Sequence, residues 1–171
     1  YNLEPNIYSF RVLDFFCEQL KSKGYNGKYP IHIKLETGMH RLGFKDFEID
    51  DLIEKLKNSP IKVQSIFSHL ATADIPEERQ FALEQIRTYE KNSSLLISGL
   101  GYKPIRHILN SSGITNYPEY QYDMVRIGIG MIGESSNKSI KKQLQNSVSF
   151  KTVVSQISEV KQGDSIGYNR K

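Results

Sequence analysis

Four polar residues close or interrupt short apolar runs: Lys34 after Ile31-His32-Ile33, His69 after Val63–Ser68, Ser111 after Ile105–Asn110, and Arg126 within Met124-Val125-Arg126-Ile127. In parallel α/β folds the carboxyl ends of strands are where ligands bind and reactions occur. Each residue also has a plainer reading. Lys34 alone reads as a solvated surface cation, His69 as a satisfied core or capping histidine, and Ser111 as the cap of a short helical turn. Arg126 is harder to set aside. A guanidinium does not lose its proton inside a protein, so within an apolar run it must find an acceptor.

Gly128-Ile129-Gly130-Met131-Ile132-Gly133 is a literal G-x-G-x-x-G after a strand-like run. A dinucleotide site would also need a helix opening at those glycines and an acid about 20 residues further on. Glu134-Ser135-Ser136-Asn137 is a poor first helical turn. A nicotinamide-dependent oxidoreductase is therefore a weak reading. Glycine-rich backbone after a strand can still hold a phosphate through its N–H groups.

The elements that position these residues follow from periodicity. Ser9–Lys23 places Val12, Leu13, Phe16, Cys17 and Leu20 on one helical face, with Ser9 as cap and Gly24 as stop. In residues 31–36, Ile31, Ile33 and Leu35 point one way and His32, Lys34 and Glu36 the other. The apolar face suits covering helices. The opposite face is then interior in a closed barrel, where an unpaired Lys34 is costly and needs a partner.

Further along, Phe47–Lys57 fits a helix with Ile49, Leu52, Ile53 and Leu56 as its stripe. Asp74-Ile75-Pro76-Glu77 predicts another helix start, capped by Asp74 and stopped at Gly99 or Gly101. Strands are predicted at about 30–36, 62–68, 105–110 and 123–127, with Lys34, His69, Ser111 and Arg126 gathered at their carboxyl ends. Repeated strand, polar turn and helix predict a parallel sheet, either doubly wound or a (β/α)₈ barrel. Four such units cannot close a barrel, so the remainder would lie upstream of Tyr1. The predicted division is an α/β domain over 1–133, a polar linker over 134–147, and the start of a β domain over 148–171, with a turn at Gly163-Asp164.

Composition narrows the class. The 171 residues include 23 Lys and Arg against 19 Asp and Glu, with 38% apolar and 25% charged residues, as in folded soluble chains. A net charge of +4 with interspersed signs does not make a nucleic-acid surface. No run approaches the ~18 apolar residues of a membrane helix. A single cysteine, Cys17, excludes an internal disulfide framework and a cysteine-based zinc site, and makes the cytoplasm the expected compartment. The absent initiator Met reads as the mark of an excised fragment.

Five ordered segments resemble the bacterial alanine racemases. Lys34-Leu35-Glu36-Thr37-Gly38-Met39-His40-Arg41-Leu42-Gly43-Phe44 is similar to their K-x-D-T-G-M-x-R-x-G stretch, and Phe67-Ser68-His69-Leu70-Ala71-Thr72-Ala73-Asp74 to T-H-F-A-x-A-D. His107–Ser111 resembles a strand ending in N-S. Asp123–Ile129 resembles D-x-V-R-x-G-I, and Ser165-Ile166-Gly167-Tyr168 the turn near the start of the family's β domain. Glu36 stands in place of the family's Asp, and Ile132 where Tyr is usual.

The resemblance implies a pyridoxal 5′-phosphate (PLP) enzyme of fold type III, interconverting L- and D-alanine for peptidoglycan synthesis. Its architecture would be the C-terminal half of a (β/α)₈ barrel followed by the start of a β domain, in a homodimer. By the same resemblance Lys34 is the lysine often carbamylated by CO₂, its new negative charge holding Arg41, and Arg41 binds the substrate carboxylate. His69 lies by the pyridine ring, and Arg126 faces the ring nitrogen. Ser111, Gly128 and Ile129 hold the phosphate. Tyr168 is an acid–base residue delivered to the neighbouring subunit. The Schiff-base lysine would lie upstream of Tyr1, so the chain alone is expected to be inactive. A non-catalytic PLP-binding barrel protein remains an alternative, against which Tyr168 and the strand-rich tail count.

Overall fold

In the computed structural model of this chain, residues 3–166 are described. Four parallel strands form one sheet in the order β1 (Asn6–Ile7), β2 (Tyr29–Lys34), β3 (Ile61–Phe67) and β4 (Ile105–His107). Each strand pairs with the next in sequence, and every crossover steps in the same direction. With right-handed crossovers, that order keeps the intervening helices on one face. The other face carries the polar residues.

Helix α1 (Phe10–Ser22) begins where Ser9 accepts a hydrogen bond from the Val12 N–H at 3.4 Å. It buries Leu13 and Leu20, as its apolar spacing predicts. Helix α2 (Ile49–Lys57) buries Ile49, Leu52 and Leu56, and its first turn is 3₁₀ from Asp46. Helix α3 (Arg79–Leu100) ends at Gly101, whose φ of 75° lies in the left-handed region. Its Asp74 cap is a correction. The entry is a 3₁₀ turn over Pro76–Glu78 with Ile75 at the cap position and no side-chain cap bond. Pro76 presets the backbone there without help from a side chain.

These helices cover Ile31, Ile33 and Leu35 of the β2 stretch and Val63 and Ile66 of β3, all almost completely buried. Removing such side chains from water contributes about 1.5–3 kcal/mol each. Tyr89 of α3 is buried in the same layer, and its hydroxyl donates to the Ile66 carbonyl at 2.8 Å.

The ladder between β2 and β3 is irregular at one place. Ile31 pairs with Val63, but His32 pairs with Ser65, so Gln64 is an extra residue. Side chains alternate with period 2, and one extra residue therefore exchanges the faces beyond it. Ser65 and Phe67 turn to the polar face, and Ile66 turns to the helices.

Residues 123–127 differ from expectation. They form no assigned strand but run beside β4, held by Asp123 N–H to the Arg106 carbonyl and Arg126 N–H to the Leu109 carbonyl, both 3.1 Å. The Asp123 carboxylate also accepts from the Arg106 N–H at 2.9 Å, giving one end of the segment a side-chain tie in place of a ladder bond. The polar stretch after Gly133 contains a short helix, α5 (Lys138–Lys141), capped by Asn137. Lys141 donates to the Gly133 carbonyl at 2.8 Å and pairs with Glu134. The strands predicted after residue 148 are not formed among the described residues. Phe150, Val153 and Ile157 are exposed, and an alternating apolar segment needs a partner strand or a core to bury against. The Gly163-Asp164 turn is present, with Asp164 N–H donating to the Lys161 carbonyl at 3.0 Å.

Candidate functional site

Beyond β2 the chain makes a tight loop and returns, with Leu35 and Phe44 side by side in a parallel bridge. Gly43 makes this possible. Its φ is 133°, and a Cβ there would stand 2.4 Å from the Glu36 nitrogen. Glu36 holds the loop from inside: its carboxylate accepts from the N–H groups of Gly38 at 2.5 Å and Arg41 at 3.2 Å. Burial pushes this carboxyl up, but backbone N–H groups of His40, Gly38 and Arg41 outweigh it and hold the pKa below the usual value. Thr37 and Ser68 share a hydrogen bond of 2.7 Å, and the Ser68 hydroxyl sits 2.8 Å from the Leu35 carbonyl, tying the loop to the end of β3.

Lys34 is buried, with no hydrogen bond or ion pair to its amine among the described residues. Burial lowers its pKa, the charges of Arg41 and Arg126 lower it further, and Glu36 opposes them. Arg41 is exposed and lies close enough in charge to depress both Lys34 and His69. His69 is half-buried. Burial acts first on its pKa, then Arg126, Arg41 and Lys34, all downward. Three cations around a neutral imidazole make this end of the sheet a place for an anion.

Arg126 is fixed by acceptors from three sides. Nη2 donates to the Ser68 carbonyl at 2.7 Å and the Ile108 carbonyl at 3.4 Å, and lies 3.4 Å from His69 Nδ1. Nη1 donates to Nδ1 of His107 and to the His107 carbonyl at 3.5 Å. None of these bonds uses Nε. The guanidinium lies 5.2 Å from the Phe67 ring centroid, and Phe67 stacks on His107 at 5.0 Å and 5°. The demand that Arg126 find acceptors is thus met by strand-end carbonyls and imidazole nitrogens.

After β4, Asn110 and not Ser111 caps helix α4 (Ser111–Asn116), accepting from the Gly113 N–H at 2.9 Å. Asn110 also donates to the Leu70 carbonyl at 3.3 Å. That frees the Ser111 hydroxyl, which accepts from the N–H groups of Gly128 at 2.9 Å and Gly130 at 3.2 Å. His69, Asn110, Ser111, Arg126, Gly128 and Ile129 together line a cleft of about 290 Å³.

Residues 129–132 form a 3₁₀ turn that ends at Gly133 with φ 84°. No helix opens at the G-x-G-x-x-G glycines, so the context a dinucleotide fingerprint requires is not met. Lys34, His69, Ser111 and Arg126 do gather at the carboxyl end of the sheet, while Tyr168 lies outside the described residues. The residue that sequence reasoning passed over is His107, noted only as part of a strand. Its inward phase opposite Phe67 was the available signal.

A parallel α/β domain with a basic, hydroxyl- and N–H-lined cleft at its strand ends is the class that fold and site define. A family model described as "Alanine racemase, N-terminal domain" matches residues 1–136, and the chain belongs to that family. It is 36% identical to the alanine racemase of Clostridium tetani, over 99% of this chain and 44% of that protein. It is 37% identical to that of Fusobacterium nucleatum, over 88% of this chain and 41% of that one. A solved alanine racemase of Clostridium difficile 630 superposes with a TM-score of 0.73 at 28% identity, covering 99% of this chain and 44% of the other. The chain thus spans less than half the length of these relatives.

Proposed function

We propose that this chain holds the PLP-binding part of an alanine racemase, working on L- and D-alanine in the cytoplasm to supply peptidoglycan synthesis. The observation that carries the reading is Arg126: a guanidinium locked by carbonyls and an imidazole at the rim of a cleft where the Gly128 and Gly130 N–H groups converge on the Ser111 hydroxyl. The donor set fits the cofactor, since a phosphate needs N–H and hydroxyl donors and a pyridine nitrogen needs one donor. When bound, PLP supplies an electron sink that acidifies the Cα proton of an attached amino acid.

The chain's own residues set how that sink is used. Arg126 would hold the pyridine nitrogen by donating a hydrogen bond to it, and because a guanidinium does not give up its proton that nitrogen would stay unprotonated and the electron sink weak. Ser111, Gly128 and Ile129 hold the phosphate. His69, kept neutral by burial and by its cationic neighbours, packs beside the ring. Arg41 takes the substrate carboxylate. Lys34, its amine neutral more often than an ordinary lysine's, adds to CO₂ with loss of a proton, and the resulting carbamate pairs with Arg41. Tyr168 exchanges the Cα proton in the partner's site of a homodimer. The parallel strands belong to a (β/α)₈ barrel, and the segment from 148 onward to a β domain after a 134–147 crossing.

The test is a chimera in which this sequence replaces the matching stretch of the Clostridium tetani relative. With PLP it should form D-alanine from L-alanine. Arg126→Glu in the chimera should slow racemisation and raise conversion of alanine to pyruvate. A folded chimera that binds no PLP refutes the reading, and so does one whose Arg126→Glu variant behaves as the parent.

A further inference from the structure

The polar face of the sheet carries a continuous row of groups that the proposed reaction does not use. Glu4 precedes β1, His32 lies on β2, Ser65 on β3 and His107 on β4. Glu4 Oε2 is 3.0 Å from His32 Nε2, and His32 Nδ1 is 2.7 Å from Ser65 Oγ. Ser65 Oγ is 3.0 Å from His107 Nε2, and His107 Nδ1 meets Arg126 Nη1. The Gln64 bulge puts Ser65 there. Without the extra residue Ser65 would share the helix-covered face with Val63.

We propose that Glu4, His32 and Ser65 form with His107 a one-directional hydrogen-bond chain that fixes the tautomer of His107 and thereby positions Arg126. The direction follows from proton counting. A guanidinium has only donors, so His107 Nδ1 must accept and its proton must sit on Nε2. His107 Nε2–H then donates to Ser65. The serine has one proton left to give, and it gives it to His32 Nδ1. His32 therefore carries its proton on Nε2 and donates to Glu4, which as a carboxylate only accepts. Every link has one proton. The reverse order fails at its first step, because Arg126 cannot accept.

Ser65 is 1% exposed and His107 4%, so neither can trade a broken link for bulk water. A His107 carrying its proton on Nδ1 would confront the guanidinium N–H and turn it out of place. Glu4, His32, Ser65 and His107 are thus positioning residues. Their effect on the reaction rests on the racemase reading, while the tautomers do not.

The test begins with nitrogen-15 NMR of the protein, with its four histidines assigned by single substitution. At neutral pH, His107 and His32 should both be protonated on Nε2 only. A proton on Nδ1 of either residue, or a charged His107, overturns the chain. In Ser65→Ala the His32 Nδ1 resonance should shift as it loses its donor. The Arg126 Nη1 protons should exchange with water roughly tenfold faster, the scale set by one lost buried hydrogen bond. Ser65→Thr keeps the hydroxyl and should restore both signals. Unchanged signals in Ser65→Ala also overturn the proposal. In the chimera with PLP added, Ser65→Ala should shift the cofactor's absorption band and Ser65→Thr should return it. If the chimera binds no PLP although the histidine signals are as expected, the racemase reading fails and the chain of hydrogen bonds stands.

Discussion

Arg126 donates through Nη1 to Nδ1 of His107, and the two residues reach that contact from the irregular segment beside β4 and from the last residue of β4, 19 positions apart in sequence. Neither side chain has a free choice of state. The guanidinium must donate, and the buried imidazole must be neutral to accept. Burial, followed by the charges of Arg126 and His32, pushes the His107 pKa down to about 4.

Stability should accordingly fall on mild acidification. The folded pKa of His107 lies below the unfolded value near 6.5, so the unfolded chain binds the extra proton first. The contribution is complete above pH 6.5 and is lost as pH falls to about 4. His69 is shifted in the same direction. Urea midpoints measured at pH 7, 5.5 and 4.5 should decline in that order. A flat series would show that His107 is not buried neutral.

Arg126→Lys keeps the charge and loses the planar fork. One ammonium cannot reach the Ser68 and Ile108 carbonyls and His107 Nδ1 together. The variant should lose about 2 kcal/mol of stability, the scale of buried hydrogen bonds to a charged group. Equilibrium urea unfolding decides it, and a loss below about 0.5 kcal/mol would mean the bonds are not formed together.

Two glycines with positive φ should respond differently to alanine. At Gly43 the Cβ would enter the backbone of Leu35 and Glu36, 2.4–2.5 Å away, so Gly43→Ala must open the loop that carries Arg41. At Gly101 nothing lies within 4 Å, and Gly101→Ala meets only the left-handed penalty of about 1–2 kcal/mol. Gly43→Ala should be clearly the more destabilising in thermal melts. Equal melts would contradict the close return of the chain at Phe44.

Ser111→Ala removes the acceptor shared by Gly128 and Gly130 without touching the cap of α4, which belongs to Asn110. Stability should fall by only about 1 kcal/mol. In the chimera, PLP affinity should fall more, by tenfold or above, as read by cofactor absorbance. A variant with native affinity would remove Ser111 from the phosphate site.

Much of this was legible in the sequence because it depended on local patterns. Ser9 and the alternation of Ile31, Ile33 and Leu35 act within a turn or a strand, and their placement follows from spacing, whereas spacing left the stop of α3 at Gly99 or Gly101 and the structure places it at Gly101. The gathering of Lys34, His69, Ser111 and Arg126 was legible because strand ends in a parallel sheet lie together. What escaped depended on neighbours. Asp74 loses the capping role to a proline-set turn. Arg126 lies in an irregular segment because side-chain ties and helix-like turns replace a ladder on that side of β4. His107 looked like any strand residue until Ser65 faced it, and period-2 counting through Ile61, Val63 and Ser65 assigns Ser65 to the wrong side.

The extra residue in β3 has a consequence for descent as well as for structure. Substitutions can tune any side chain in Ile61–Phe67, but none can change how many positions separate Val63 from Phe67. Losing a single codon there would leave the strand as apolar as before and still send Ser65 and Phe67 into the oily layer and Ile66 out of it. In this stretch inheritance must preserve a count, and a relative aligned with a one-position gap inside β3 would be wired differently however many of its letters agree.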